Sequence, residues 1–158
     1  MKTRSMIALG AILVCSMADF SADAAEKAIP GPKGGRLLDS KPARAEFFVN
    51  ADRKVEITFY DENLKAALLG EQVVSAIAEA KSGKAKLEFE KKEGSLVSST
   101  PLPEGQAYTV VVQIRAKAGD KPQNFRVGYH EGICSDCKRA GYACVCESHG
   151  EEEHGHGH

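Results

Sequence analysis

The 158-residue chain has no tryptophan, and aromatic residues make up only 6% of it. Its core must therefore rest on valine, leucine, isoleucine, alanine and phenylalanine. No histidine occurs before position 130, which removes the commonest general base from everything up to Tyr129. Lysine plus arginine number 21 against 22 aspartates and glutamates, a net charge of −1. A chain so balanced has no overall basic field to hold nucleic acid. Beyond residue 24, no apolar run approaches the roughly 20 residues that cross a bilayer as a helix, so the mature chain has no integral membrane segment. Gly34-Gly35 is no phosphate loop, because no strand precedes it and no GKS or GKT follows. Glu56, Glu88 and Glu90 alternate outward beside lysines, the pattern of a solvated sheet face rather than a catalytic pair. No residues assemble into a reaction centre, and the chain reads as a non-enzyme.

Its beginning reads as a targeting segment. Lys2 and Arg4 precede the twelve-residue apolar run MIALGAILVCSM at 6–17, and Ala22 and Ala24 put small residues where a signal peptidase reads. Residues 1–24 are expected to be a signal peptide, and the protein to be exported, into the periplasm. A buried N-terminal helix is the alternative. A lipid anchor at Cys15 is disfavoured because Val14 stands where a small residue is expected. Removing Lys2, Arg4, Asp19 and Asp23 leaves the charge at −1.

Residues 25–43 carry prolines and glycines and read as an extended lead-in, with one short strand at 36–38. Strand-like alternation follows at 45–49 and 55–60, joined by the turn-forming NADR at 50–53. Val55, Ile57 and Phe59 share one face of the second run. Further strands are expected at 73–80, 85–91, 95–99, 108–116 and 124–130. Leu87 and Phe89 face inward, as do Val110, Val112 and Ile114, and then Phe125, Val127 and Tyr129. Ser82-Gly83-Lys84 is the expected turn between two of these. Residues 63–80 also suit a helix by their Ala, Leu and Glu content, but Gly70 and the paired valines favour strand. Short strands at this spacing predict an all-β, antiparallel, immunoglobulin-like β-sandwich over 44–130, with a closed barrel as the alternative.

Residues 34–65, GGRLLDSKPARAEFFVNADRKVEITFYDENLK, resemble the immunoglobulin-like segment of bacterial periplasmic proteins associated with heavy-metal efflux. In that segment a Gly-Gly pair, often preceded by His, leads into a strand carrying Glu and then into one ending in Tyr and Asp. Here Pro32-Lys33 stands before the glycines, so no metal role of that histidine carries over. The resemblance implies a periplasmic immunoglobulin-like module and a periplasmic efflux or trafficking component as partner.

The chemistry concentrates at the end. Cys134, Cys137, Cys144 and Cys146 follow C-x2-C-x6-C-x-C within an expected hairpin at 131–146. Four thiolates suit tetrahedral Zn²⁺, and thiolates also select copper as Cu(I). Cys134 and Cys137 can flank a turn, and Cys144 and Cys146, at i and i+2 of a strand, point to one face. Residues 138–141 (KRAG) would turn the chain between the arms, with Gly141 free to take positive φ. Two other readings stay open. An oxidising compartment favours disulfides, with Cys134–Cys146 and Cys137–Cys144 as a nested staple among three pairings. Cys134 to Cys137 also matches a redox dipeptide spacing, but without the helix such motifs use. Residues 147–158 form an expected disordered tail in which His149, His154, His156 and His158 lie among glutamates. Neutral imidazoles at such spacing suit Zn²⁺ or copper. His130, at the end of the last strand, is either a supplementary ligand or a plain surface residue.

The sequence therefore predicts an exported β-sandwich that sequesters or hands over zinc or copper through these cysteines and histidines. The competing expectation is a structural or partner-binding module sealed by two disulfides.

Overall fold

The computed structural model describes residues 28–146. The signal peptide expected at 1–24 and the tail at 147–158 lie outside the described residues. Nine strands occur within them: β1 (Ile29–Pro30), β2 (Arg36–Leu38), β3 (Arg44–Val49), β4 (Val55–Tyr60), β5 (Val73–Ala80), β6 (Gly83–Lys92), β7 (Ser95–Ser98), β8 (Ala107–Arg115) and β9 (Gln123–His130). Every pairing is antiparallel, and the order is β1-β2-β3-β4-β7-β6-β5-β8-β9. The all-β antiparallel expectation holds. The strands form one curled sheet, a half-barrel. The curl passes through β6, whose first part pairs with β5 up to Glu88 and whose second part pairs with β7 from Phe89 onward.

Local chemistry sets the turns. Asn50 Oδ1 accepts the backbone N–H groups of Asp52 and Lys54, both at 3.0 Å, and Arg53 takes a φ of 59°. The same device recurs after β4, where Asp61 Oδ1 accepts from Asn63 and Lys65, both at 2.9 Å, and Leu64 takes a φ of 58°. Short polar side chains that capture backbone donors compete with helix formation. Residues 61–72 accordingly form a loop, neither the strand favoured for 63–80 nor the helix that was its alternative, and β5 begins only at Val73. The Ala80–Gly83 pair closes the next hairpin, so the turn itself is Lys81-Ser82.

The inward faces match the alternation. Phe47, Val55, Ile57, Leu87, Val110, Val112 and Val127 are fully buried, and Phe89 and Phe125 pack half-buried against them. A fully buried side chain of this kind contributes about 1.5–3 kcal/mol. The opposite face of β4 departs from the half-buried pattern, because Thr58 and Tyr60 are buried too. Residues 31–35 cover that face around the fully buried Glu46. Glu46 Oε1 accepts from the backbone N–H of Lys33 at 2.9 Å and of Gly35 at 2.7 Å. Its Oε2 accepts the Tyr60 hydroxyl at 2.8 Å. Lys33 pairs through its ammonium with Glu56, so Glu56 is not simply solvated.

The ends of the curled sheet approach each other. Gln123, at the start of β9, exchanges hydrogen bonds with the backbone of Lys41, accepting at 2.9 Å and donating at 2.7 Å. At the other end of β9 the gap is filled by the cysteine-bearing segment.

Candidate metal centre

Beyond His130 the chain turns at Gly132, which takes a φ of 101°. Ile133 and Ala140 then form a single antiparallel bridge. Within it, Cys134 N–H donates to Arg139 O at 2.8 Å and Lys138 N–H donates to Cys134 O at 3.0 Å. This places the tight turn at the C-x2-C pair itself, not at residues 138–141. The left-handed position is Lys138, with a φ of 57°. Gly141 is needed for close approach instead, since a Cβ there would lie 2.8 Å from the backbone oxygen of His130. Gly141–Ala143 then form one 3-10 turn, and Cys144 leaves it in extended conformation.

That 3-10 turn docks the segment. Tyr142 and Ala143 are buried. The Tyr142 ring meets Phe47 of β3 edge-on at 5.5 Å and stacks on Tyr129 of β9 at 5.9 Å. Its hydroxyl oxygen accepts the Val49 backbone N–H at 2.9 Å. One side chain thus spans strands from opposite regions of the sheet order, and it lies in sequence between Cys137 and Cys144.

The consequence is a cluster of four sulfurs, Cys134, Cys137, Cys144 and Cys146, all within 4.8 Å of one another. Cys134 and Cys146 stand 3.9 Å apart, and Cys137 and Cys144 stand 3.7 Å apart. Two thiolates each about 2.3 Å from a tetrahedral Zn²⁺ stand about 3.8 Å apart, whereas a disulfide closes to about 2.05 Å. None of the four is in a disulfide. The spacing fits a tetrahedral ion held by four sulfurs.

The thiols are not equivalent. Backbone N–H groups of Arg139 and then Val145 point at Cys137 and lower its pKa. Burial raises that of Cys144. Cys146 is pushed up to about 12, first by its hydrogen bond with Cys144 and then by burial. Four sulfurs this close resist ionising together without a cation among them, and a bound metal supplies that charge.

His130 is exposed and stands outside the group of four sulfurs. His149, His154, His156 and His158 lie outside the described residues. No protein-family model, curated protein or solved structure matches the chain. The site therefore has to be understood from its own geometry.

The role of Tyr142 escaped the sequence reading. The signal for it is the aromatic Tyr142 beside Ala143 in the spacer between Cys137 and Cys144, residues that bury readily. Gly35 and Tyr60, both within the stretch that carries the resemblance, come together around the Glu46 carboxylate. Among the described residues, no helix is long and apolar enough to cross a membrane.

Proposed function

We propose that the protein is an exported metal-binding protein whose four cysteines hold one zinc ion, with Cu(I) as the competing cargo. The observation that carries this reading is the sulfur cluster, whose 3.7 Å and 3.9 Å separations match a tetrahedral thiolate site. The histidines at 149, 154, 156 and 158 act in this proposal as a weaker collecting site that gathers metal for the sulfurs. The resemblance of residues 34–65 to immunoglobulin-like segments associated with heavy-metal efflux points the same way. It suggests a sandwich-like module of the periplasm that sequesters zinc or hands it to an efflux or trafficking component, without catalysis. The test is metal content per chain in the purified protein and in single Cys→Ser variants. One zinc per chain is expected, lost or weakened at least about tenfold when any of the four is replaced, since even replacing a group that only hydrogen-bonds to a ligand costs about 10–100-fold. Unchanged affinity in two or more of these variants contradicts it.

A second reading, of a structural or partner-binding module, is favoured by one specific feature. The two short sulfur separations are those of the nested staple, Cys134 with Cys146 and Cys137 with Cys144. A protein that carries both disulfides permanently and takes up no metal after reduction fits this module and not the metal carrier.

A further inference from the structure

Cys137 differs from its three neighbours in what surrounds it. It lines an open groove of about 530 Å³, together with Phe48, Val49, Ile133, Lys138 and Arg139. Cys134, by contrast, is buried, with 7% of its surface exposed. The groove is broad, and two cationic side chains flank its one sulfur. No described carboxylate pairs with Lys138 or Arg139. An anionic reagent entering here meets Cys137 first. The sulfur that stands 3.7 Å behind it is Cys144.

We propose that the metal-free cluster is an ordered dithiol–disulfide exchange site, with Cys137 as the attacking thiol, Cys144 as the resolving thiol, and an anionic disulfide such as glutathione disulfide as oxidant. The Cys137 thiolate attacks one sulfur of the incoming disulfide, forming a mixed disulfide and expelling one thiolate. The Cys144 thiolate then attacks the Cys137 sulfur, closing Cys137–Cys144 and expelling the second thiolate. The two cysteines lose two electrons and the reagent gains them, yielding two thiols that carry away the two protons. A second equivalent of the same oxidant then closes Cys134–Cys146, 3.9 Å apart, by the same two exchanges and releases two more thiols; this pair reacts later because Cys134 is buried.

This adds a control to the proposed metal site, and one part of it rests on that reading: a bound ion occupies the same four sulfurs, so metal and oxidant exclude each other. With free zinc at about 100 times its Kd, the metal-free fraction falls about 100-fold, and oxidation slows by that factor. Loss of the metal by oxidation is then reversed by a dithiol reductant.

The experiment uses the reduced, metal-free mature chain with glutathione disulfide, quenched with acid and mapped by peptide mass spectrometry. The wild-type chain is expected to show Cys137–Cys144 as its first internal disulfide. Cys144→Ser should accumulate a single glutathione adduct on Cys137, and Cys146→Ser should still close Cys137–Cys144. First adducts on Cys144 or Cys146, or a first disulfide between Cys134 and Cys137, would overturn the proposal. A parallel arm with zinc separates the two ideas. Ordered oxidation that zinc does not slow leaves the exchange site standing and overturns its metal control together with the metal reading.

Discussion

The Tyr142 hydroxyl accepts the backbone N–H of Val49 at 2.9 Å, tying the segment that carries all four cysteines to the end of β3. Because the ring also packs on Phe47 and Tyr129, the cysteine loop is part of the folded core and not an appended finger. A metal held by these four sulfurs would thereby be linked to the stability of the domain.

Tyr142→Ala should cost about 3–5 kcal/mol of stability, as for other buried aromatic truncations, and should weaken zinc binding as the loop loses its anchor. Tyr142→Phe keeps the ring contacts but leaves the Val49 N–H without its acceptor, so about 1–3 kcal/mol is expected. Urea melts of metal-free and zinc-loaded protein measure both. Equal stability of Tyr142→Ala and wild type would show that the loop is not anchored in this way.

Gly35 has no room for a side chain, because a Cβ there would lie 2.3 Å from the Phe47 backbone oxygen and 3.0 Å from Glu46 Oε1. Gly35→Ala should destabilise by about 1–3 kcal/mol through forced displacement. Gly34 has open space around the same position but a φ of 92°, so Gly34→Ala is costly through backbone strain alone. Thermal melts of the two variants measure both costs, and a Gly35→Ala protein as stable as wild type would contradict the close approach to the Phe47 backbone oxygen.

All four tyrosines titrate above the usual value near 10. Burial is the leading cause in each, and Tyr108 is pushed up to about 12. Between pH 10 and 12 the unfolded chain has given up phenolic protons that the folded chain keeps. The unfolded state then binds fewer protons, so stability falls as pH rises through this window. Absorbance titration at alkaline pH should show no tyrosine ionising near 10 in the folded protein. A normal phenolic titration with the fold intact would contradict the burial of these rings.

Ending the chain after Cys146 should leave the sulfur site loaded while removing weaker metal uptake. In the full chain that weaker uptake should vanish as pH falls through about 6.5, where imidazoles protonate and cease to be ligands. Equilibrium dialysis at pH 7.5 and 5.5 measures both effects. Unchanged total uptake after truncation removes the histidines from the mechanism.

Much of the sheet could be read from the sequence because period-two alternation is a local signal. The 55–60 and 73–80 runs became strands with those bounds. The long loop at 61–72 was harder, since Ala and Leu content speaks for helix while one aspartate's captured backbone donors decide against it. The curl of the sheet depends on where β6 changes partners, a long-range choice with no local mark. The cysteine cluster was legible by spacing, yet its turn was not. The left-handed residue is a lysine, while the neighbouring glycine is needed because His130 passes close by. Glu46 hides its importance because the glycines that cradle it lie 11 to 15 positions earlier.

The central claim is that four sulfurs share one metal ion. X-ray absorption at the zinc edge of the zinc-loaded, full-length protein tests it most directly. The account predicts four sulfur neighbours at about 2.3 Å and no nitrogen or oxygen in the first shell. A first shell dominated by nitrogen or oxygen, with the cysteines paired as disulfides, would contradict it.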